Sequence, residues 1–467
     1  MTGKKVIIAW PPLKDPKGYA TVSQNRQFQW FKDPFFAYPI IPALASTMLG
    51  MAAQAITWVD AIAGELNEVE FSRFLVQVSP DYVIFESPTP LIKRYWEIIN
   101  GIKQHMPQVK IILCGDHVTA LPEESKKNCK ADHIVQGGDW HYKVFEIITG
   151  KSWPKDQALP LINRTASQWW LYAYKNGNFK YLPGTYIMSA MDCWHRKCTF
   201  CSWAQYHKNY YVRAAQDVLN EIHILVEAGF KEIFDDSGTL PVGEWLKELC
   251  TGLIAQEYYK HVDFGCNMRF GALNPDDFAM MKKAGFRMIL WGLESVNQST
   301  LNKLGKGYNI KDVSYDLKMA RDAGLKSHLT VMFGYPWETY EDARRTYDMV
   351  KYWLRKGYAD SAQATICIPY PGTPLWKEAK ERGDIITEKW EDYDMTKPVM
   401  RIPFSDEKLF ALQRGIYNMA FHPEFILRKL LSIRSIDDLK YYVRIGRKVY
   451  DRFGQYHDLG KVSIDNV

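Results

Sequence analysis

Strand-like and helix-like segments alternate along residues 184–385, and this alternation limits the fold more than any other feature of the sequence. Six runs rich in β-forming residues are separated by segments with helical spacing of apolar residues; the runs are GTYIMSA, EIFDDSG, HVDFGCNMR, MILWGLES, SHLTVMFGYP and SAQATICIPYP. Such alternation predicts a parallel sheet covered by helices. Because a closed barrel of this kind needs eight units, six units predict a partial, open (β/α)6 TIM-like barrel.

A similar alternation fills residues 1–155. The strand-like runs KKVIIAW, QAITWVDAI, PDYVIFES, VKIILCGDH and DHIVQGGD are separated by segments of helical periodicity. This pattern predicts an α/β, doubly wound, Rossmann-like domain. Ligands of such domains bind beyond the carboxyl ends of the strands, so the candidate binding loops are residues 10–15, 86–90, 114–119 and 136–140.

The other two segments have less regular patterns. Residues 156–183 have mixed polarity with scattered Pro and Gly, which is typical of a linker between domains. Residues 386–467 are charged and helical in pattern, and they predict a C-terminal, mostly helical domain. Aromatic residues of the linker, together with the C-terminal helices, suggest an enclosure for a large, apolar small-molecule substrate. These aromatic residues are Trp169, Trp170, Tyr172 and Tyr174.

Charge and hydropathy argue against two classes of protein. The net charge of +6 over 467 residues is modest and unclustered, unlike that of a nucleic-acid-binding protein. Long uninterrupted apolar runs of the kind that span membranes are missing, and the initial MTGKKVIIAWPP predicts a first strand rather than a signal peptide. Eight cysteines without a secretory signal favour reduced thiols and metal chemistry, so we expect a cytoplasmic protein.

Three of the cysteines lie within nine residues. The stretch MDCWHRKCTFCSW contains Cys193, Cys198 and Cys201 and follows the first barrel strand, where βα loops form the active face. A structural zinc ion would need a fourth ligand from a distant cysteine. Three buried, unligated thiols are a second interpretation, although the surrounding Asp, His, Arg and Lys argue against an apolar core. The third is an iron–sulfur cluster with one iron left open to a substrate.

At this point the sequence resembles the radical S-adenosylmethionine (SAM) enzymes. Their signature is three cysteines in the loop after the first barrel strand, usually spaced by three and then two residues; here the spacing is four and then two. Phe200 matches the aromatic residue that commonly precedes the last cysteine. Stretches that resemble the family's motifs on the later strands are IFDDSG, CNMRF, LWGLESVNQSTLNKLGKG, VMFGYPWETYED and PYPGTPLWKEA.

This resemblance, which covers residues 184–385, implies a set of site residues. The three clustered cysteines would bind a 4Fe–4S cluster whose fourth iron chelates the amino and carboxylate groups of SAM. The residues implied to contact SAM are Phe200, Asp235, Asp236, Ser237, Arg269, Glu294 and Ser295. The additional residue between Cys193 and Cys198 should bulge the loop and turn Trp194 or His195 towards the cluster or SAM.

The amino-terminal domain resembles the cobalamin-binding domain that precedes the barrel in one radical SAM subclass. The matching stretches are PP after the first strand, PDYVIFES, LCGDHVTALPEE and VQGGDWHYKVFEIITG. As in that subclass, the sequence lacks the Asp-x-His-x-x-Gly motif that supplies a histidine to cobalt. The residues implied to contact cobalamin are Pro11, Pro12, Ser87, Thr89, Gly115, Asp116, His117, Thr119, Gly137 and Gly138. A domain without any ligand is the alternative.

The resemblance also implies a reaction. Reductive cleavage of SAM would give a 5′-deoxyadenosyl radical that abstracts hydrogen from an unactivated carbon, which methylcobalamin then methylates. A low-potential flavodoxin- or ferredoxin-type protein would supply the electron. The same architecture also serves radical cyclisation, carbon–carbon bond formation or rearrangement, as in tetrapyrrole and isoprenoid-lipid pathways. A non-catalytic cobalamin or iron–sulfur sensor is a second alternative, and no further catalytic residue is assigned.

Overall fold

The computed structural model describes residues 3–21, 28–154, 157–206 and 210–457. The strands of its first part are β1 (Lys5–Trp10), β2 (Lys14–Asp15), β3 (Gly18–Thr21), β4 (Gln29–Phe31), β5 (Ala55–Asp60), β6 (Tyr82–Glu86), β7 (Lys110–Cys114) and β8 (His133–Val135). The helices are α1 (Ile40–Met51), α2 (Glu68–Val78), α3 (Ile92–His105), α4 (Asp116–Ala120), α5 (Pro122–Asn128) and α6 (Trp140–Thr149).

Within the described residues, five of these strands pair in parallel in the order β5-β1-β6-β7-β8. The last five residues of β1 are buried, as expected for a strand that helices cover on both faces. In chain order the sheet reads 2-1-3-4-5, so the direction of winding reverses between β1 and β6. The predicted doubly wound, Rossmann-like fold is confirmed.

A small antiparallel sheet of β2, β3 and β4 follows β1. The sequence predicted a loop at residues 10–15, because strands of two to four residues are too short to show an alternating pattern. Gly18 begins β3 directly after the turn from β2, with φ of 116°, and a Cβ there would lie 2.1 Å from the carbonyl oxygen of Phe31. This turn therefore requires glycine.

The second part of the chain contains the strands β9 (Gly184–Ile187), β10 (Ala190–Met191), β11 (Tyr211–Val212), β12 (Glu232–Asp235), β13 (Asp263–Met268), β14 (Phe286–Glu294), β15 (Lys326–Phe333) and β16 (Ser361–Ile366). The helices up to the end of the barrel are α7 (Trp170–Ala173), α8 (Trp203–Tyr206), α9 (Ala215–Glu227), α10 (Glu244–Ala255), α11 (Pro275–Lys283), α12 (Gln298–Lys303), α13 (Ile310–Asp322), α14 (Tyr340–Lys356) and α15 (Pro374–Glu381). The last helices are α16 (Asp406–Asn418), α17 (Pro423–Leu431) and α18 (Ile436–His457).

In the part of the chain that the structure describes, six strands form one parallel sheet in chain order, β9-β12-β13-β14-β15-β16. Each of the six predicted strand runs overlaps one of these strands, although β14 and β15 begin one or two residues before their runs, so the partial (β/α)6 barrel is confirmed. Side chains alternate along β15: Leu329 and Val331 are buried under the helices, whereas His328, Thr330 and Met332 are partly exposed to the barrel interior.

The C-terminal helices differ in how they pack. Helix α16 closes the barrel beside β16, where the Tyr417 hydroxyl donates to the Ala364 carbonyl at 3.1 Å. Helix α17, in contrast, has no buried residue among those described. The predicted helical C-terminus is confirmed. A helix with the length and apolarity needed to cross a membrane is not found among the described residues.

The described part of the predicted linker, residues 157–183, is packed between the two sheets. The buried Arg164 donates to Glu221 of α9 at 2.8 Å and to Thr185 of β9 at 2.7 Å. Tyr172 donates to Asp60 at the end of β5 at 2.9 Å. These hydrogen bonds join the segment to both sheets.

The carboxyl edges of the two sheets face each other. Helix α8 directly follows the clustered cysteines, and the carbonyl of its Tyr206 accepts a hydrogen bond from the backbone N–H of Gly138 at 2.8 Å. The hydroxyl of the same tyrosine donates to the Pro371 carbonyl at 2.7 Å. Gly138 follows β8 and Pro371 follows β16, so the loops beyond the carboxyl ends of both sheets meet beside the cysteine loop.

Candidate active site

A cavity of about 420 Å³, called here the barrel cavity, lies within the open barrel. One wall is the cysteine loop, and another consists of the inward side chains of β13 to β16. The small sheet of β2 to β4 and the segment after it contribute Thr21, Gln29, Phe31, Phe35 and Ala37. The barrel is therefore covered by residues of the amino-terminal part of the chain.

All three clustered cysteines line the barrel cavity as free thiols. Backbone hydrogen bonds fix their loop: the N–H of Thr199 donates to the Leu304 carbonyl at 3.0 Å, and the N–H of Leu375 donates to the Thr199 carbonyl at 3.0 Å. The segments that follow β14 and β16 thus hold the loop, and the thiols share one space.

Two glycines allow this loop to approach its neighbours. A Cβ on Gly238, in the DDSG stretch after β12, would lie 2.7 Å from the Cβ of Cys193. A Cβ on Gly305 would lie 2.2 Å from the Lys197 carbonyl oxygen, and this glycine has φ of +68°. Side chains at either position would displace the cysteine loop.

The surroundings of the thiols fit a cluster held by three negatively charged thiolates, because the positive Lys306 ammonium lies nearby. Burial raises the pKa of all three thiols, that of Cys201 to about 12, and the Lys306 ammonium partly opposes this effect at each. A thiol that is protonated in the absence of metal loses its proton when it becomes a metal ligand. Among the described residues, no three His, Cys, Asp or Glu side chains are grouped to hold one metal ion, so the zinc interpretation gains no support.

The structure brings together four of the seven side chains predicted to contact SAM. Phe200, Asp236, Arg269 and Glu294 line the barrel cavity with the cysteines. The other three make internal hydrogen bonds and are not in its lining. The Ser295 hydroxyl donates to Glu338, the Ser237 hydroxyl accepts from the N–H of Ala190, and Asp235 accepts from the hydroxyl and N–H of Ser189.

A charged group that the sequence analysis did not identify lies beside Glu294. The ammonium of Lys306 is 3.2 Å from the Glu294 carboxylate, and both side chains are almost fully buried. Although burial disfavours its charge, the Glu294 carboxylate and the Cys198 thiol raise the pKa of Lys306. Arg269 donates to the Lys306 carbonyl at 2.6 Å. Lys306 lies in the LGKG stretch of the fourth-strand motif, and this position in the motif is the sequence signal for it.

The wall formed by β15 and β16 is polar but uncharged. His328 and Thr330 of β15 and Gln363 and Thr365 of β16 line it, and the Nδ1 of His328 is 2.8 Å from the Ser361 hydroxyl oxygen. Burial lowers the pKa of His328 to about 4, which keeps the imidazole neutral near neutral pH. The alternation in SHLTVMF indicates that these side chains share a face, but it does not reveal that the face borders a cavity.

The additional residue of the cysteine loop affects two side chains differently. His195 lines the barrel cavity, and its Nε2 is 2.6 Å from the Gly305 carbonyl oxygen. Trp194 is not in the lining; its indole N–H donates to the Leu240 carbonyl at 3.2 Å, and the Arg269 guanidinium lies over its ring. Of the two side chains expected to turn inwards, His195 is the one that does.

The residues predicted to contact cobalamin lie beyond the carboxyl ends of β1, β6, β7 and β8, outside the lining of the barrel cavity. Gly115 has φ of +116°, and a Cβ there would lie 2.5 Å from the Ser87 carbonyl oxygen. The N–H of Gly137 donates to the Thr119 hydroxyl at 3.0 Å. The loops after these strands therefore form one continuous edge. The predicted residues are Pro11, Pro12, Ser87, Thr89, Gly115, Asp116, His117, Thr119, Gly137 and Gly138.

His117 is enclosed by protein. Its side chain is fully buried, with the rings of Trp96 and Trp390 at 5.8 and 5.1 Å and a Glu124 carboxylate oxygen 3.2 Å from Nε2. Trp390 also donates to Glu124 at 2.9 Å. The imidazole thus packs the first domain against residues that follow the barrel.

Comparison with known proteins shows what the residues of this site resemble. Residues 191–350 match the Radical SAM superfamily. An uncharacterized methyltransferase of Pyrococcus horikoshii is 26% identical over 405 residues, covering 81% of this chain and 85% of the relative. The bacteriochlorophyllide d C-8(2)-methyltransferase of Chlorobaculum tepidum is 28% identical and covers 77% and 82%. The anaerobic magnesium-protoporphyrin IX monomethyl ester cyclase of Rubrivivax gelatinosus is 22% identical and covers 87% and 78%.

Solved structures share the fold over nearly the whole chain. The radical SAM methyltransferase TsrM from Kitasatospora setae, solved with cobalamin and a 4Fe–4S cluster, superposes with a TM-score of 0.65 at 13% identity and covers 97% of this chain and 100% of its own. The cobalamin-dependent SAM radical enzyme OxsB, solved with aqua-cobalamin and SAM, gives 0.64 at 12% identity and covers 97% and 72%. The chain therefore carries a Radical SAM domain at residues 191–350, within the fold that these two enzymes share.

Proposed function

We propose that this protein is a cobalamin-dependent radical SAM methyltransferase that methylates an unactivated carbon of a large, mainly apolar substrate. The convergence of Cys193, Cys198 and Cys201 on the barrel cavity, at the edge that faces the first sheet, carries the proposal. When bound, the 4Fe–4S cluster and SAM supply a 5′-deoxyadenosyl radical and cobalamin supplies the methyl group.

The proposal divides the chain into regions with separate roles. Residues 1–155 would hold cobalamin at the carboxyl edge of their sheet, and residues 184–385 would hold the cluster and SAM. The described residues 157–183 would connect the two, and α16 of the C-terminal segment would cover the barrel. This division is supported by the switch point of the first sheet, which is where doubly wound domains bind ligands.

Charged side chains beside the cysteines suit the polar end of SAM. The Glu294 and Asp236 carboxylates can accept hydrogen bonds from the SAM amino group, and Lys306 and Arg269 can donate to its carboxylate. Because Glu294, Asp236 and Lys306 are largely buried, their charges act in a medium that screens them weakly.

The opposite wall suits an uncharged substrate. His328, Thr330 and Gln363 offer neutral hydrogen-bonding groups, while Phe31 and Phe35 supply apolar surface. Neutral polar groups beside apolar surface bind and orient a substrate of matching character and displace water from it. The linker aromatic residues expected to enclose the substrate are not in this lining; Trp170 and Tyr174 are about half exposed to solvent.

Several observations support cobalamin. TsrM and OxsB share the fold of this protein over 97% of the chain, and the shared part includes the first domain. Gly137, with φ of +98°, lies on the edge that faces the barrel, where a Cβ would make only an ordinary contact with the Tyr206 carbonyl oxygen among the described residues, so the backbone there can approach a ligand closely. His117 is enclosed between two tryptophans, which agrees with the missing histidine motif and leaves it unsuited to reach cobalt.

The reaction also needs an electron donor and a reducing compartment. A low-potential flavodoxin- or ferredoxin-type protein would reduce the cluster. The reduced thiols suit a reducing compartment such as the cytoplasm.

A radical cyclase without methyl transfer is the second candidate. It is favoured by the Rubrivivax gelatinosus cyclase, which is similar over 87% of this chain. Methyl transfer produces S-adenosylhomocysteine beside 5′-deoxyadenosine, whereas a cyclase that does not transfer methyl produces 5′-deoxyadenosine alone.

Anaerobic reconstitution tests the cofactor sites. The protein should bind about four iron ions and one cobalamin per chain, with the absorption bands of both. The Cys198→Ala variant should lose most of the iron, while the matched variant Cys129→Ala, at a buried cysteine in the first domain, should keep it. Full iron content and SAM cleavage in Cys198→Ala would rule out the proposed cluster.

A further inference from the structure

The C-terminal helices expose an apolar face. Eight of the 21 large apolar side chains that are exposed among the described residues lie within residues 421–443. In α17 they recur at the spacing of one helical face, and in α18 they recur at three and then four residues. The eight are Phe421, Ile426, Leu427, Leu430, Leu431, Ile436, Leu439 and Val443.

A basic cleft adjoins this apolar face. The cleft has a volume of about 680 Å³ and lies at the amino ends of β9, β12 and β13, on the side of the barrel opposite the cysteines. Helix α18 contributes Lys440 and Arg444 to it, while Leu439 and Val443 of the same helix are exposed. The basic residues of the cleft are Lys180, Lys231, Lys260, His261, Lys440 and Arg444, against the acidic Asp263 and Asp437.

Two ammonium groups of the cleft are free to bind an external anion. Lys180 is paired with Asp438 and Lys260 with Glu257, each at 2.6 Å. Lys231 and Lys440 are exposed, and neither has an ion-pair partner within the described ranges of the chain.

The charge of the chain is concentrated in the same region. Residues 421–457 contain eight Lys and Arg against four Asp and Glu, so this segment carries +4 of the total net charge of +6. The prediction that the charge is unclustered therefore does not hold for this segment. A helical pair with an apolar face, flanked by basic residues, matches the character of segments that lie in a membrane interface.

Helix α18 also borders the barrel cavity. Three consecutive residues of this helix have different environments. Val443 is exposed to solvent, Arg444 lines the basic cleft, and Ile445 lines the barrel cavity. One helix therefore connects the exposed face to the wall of the candidate active site.

We propose that α17, α18 and the basic cleft form a docking surface for a lipid bilayer that contains anionic phospholipids. The apolar side chains enter the boundary between headgroups and acyl chains, and Lys231 and Lys440 bind lipid phosphates. Anionic lipid complements the positive charge of this segment. Lipid docking needs neither a cofactor nor a substrate, so it is independent of the proposed methyl transfer.

Flotation of the purified full chain with vesicles tests the docking surface. The protein should float with vesicles of phosphatidylcholine mixed with phosphatidylglycerol and not with phosphatidylcholine alone, and added salt should weaken binding. The double variants Leu427→Glu/Leu431→Glu and Lys231→Glu/Lys440→Glu should each lower the apparent affinity by at least about tenfold. All four residues are exposed, so both variants should fold, which circular dichroism checks.

Matched controls separate docking from general effects of charge. Val69→Glu/Val76→Glu changes two exposed apolar residues of α2, and Lys127→Glu reverses an exposed charge on α5; both should bind vesicles like the unchanged protein. Equal binding to neutral vesicles, or no binding to anionic ones, would overturn the proposal. So would a dimer in light scattering that Leu427→Glu/Leu431→Glu converts to a monomer, because the occupant of the face would then be a second copy.

Discussion

At the scale of single residues, Glu294 combines an uncommon backbone conformation with a buried charge at the site. It ends β14 in the left-handed region with φ of 63°, where the pairing register with β15 shifts. Such a conformation in a residue other than glycine costs of the order of 1–3 kcal/mol and is found mainly at functional sites. The ion pair with Lys306 holds the carboxylate at the barrel cavity in spite of this cost.

Replacing Lys306 with Met should test that pair. The substitution leaves a buried carboxylate without its cation, so we expect a loss of about 3–5 kcal/mol in the free energy of unfolding and weaker SAM binding. Urea unfolding and calorimetry of SAM binding to the reconstituted protein measure these effects. Lys306→Arg should restore part of both, and Lys303→Met, at an exposed lysine three residues earlier, should change neither. Equal losses of stability and of SAM binding in Lys303→Met and Lys306→Met would contradict the role of the Lys306–Glu294 ion pair.

At the scale of elements, the cysteine loop depends on the segment that follows α12. Two carbonyls of this segment, those of Leu304 and Gly305, accept hydrogen bonds from the loop. Because Gly305 has no side chain, the loop can also lie close to it. The fourth-strand motif thus contributes to the cluster site by supporting its loop as well as through Glu294.

Changing Gly305 to Ala should displace the loop. The new Cβ would clash with the Lys197 carbonyl, and the left-handed backbone adds roughly 1–2 kcal/mol of strain. We expect a folded protein that binds far less iron after reconstitution. Gly101→Ala in α3, where a Cβ has no neighbour within 4 Å, is the control and should stabilise the fold by roughly 0.5–1 kcal/mol. Full iron loading of the Gly305→Ala variant would contradict the conclusion that Gly305 holds the cysteine loop in place.

Elements with long, regular patterns could be predicted from the sequence, and short ones could not. The six barrel strands and the five strands of the first sheet each appear as a run rich in β-forming residues, because helices or the core cover at least one of their faces. Strands β2 to β4 have two to four residues and owe their pairing to turns and to contact with the barrel. They were therefore missed, although their side chains cover the cavity.

The same division applies to the candidate site. Cys193, Phe200 and Glu294 could be identified because they lie in motifs of fixed spacing. His328 and Phe31, in contrast, come from distant parts of the chain and share a cavity only in the folded structure. A polar residue in an alternating strand does not indicate whether its side of the sheet faces a cavity or the solvent.

At the scale of the whole molecule, two parallel sheets meet with their carboxyl edges together. Tyr206, directly after the cysteine loop, is hydrogen-bonded to the loop after β8 and to the loop after β16. Both edges are places where α/β folds bind ligands. A cofactor on the first sheet would therefore lie next to the cluster site, an arrangement that direct transfer of a group between cofactors and substrate requires.

The products formed from SAM test this account most directly. The reconstituted protein, with iron and cobalamin, would be incubated anaerobically with SAM and a strong reductant, and its products would be identified by mass spectrometry. We predict both 5′-deoxyadenosine and S-adenosylhomocysteine, and neither from the Cys198→Ala variant. Formation of 5′-deoxyadenosine alone would favour the cyclase alternative, and an iron-loaded protein that leaves SAM intact would contradict the central claim.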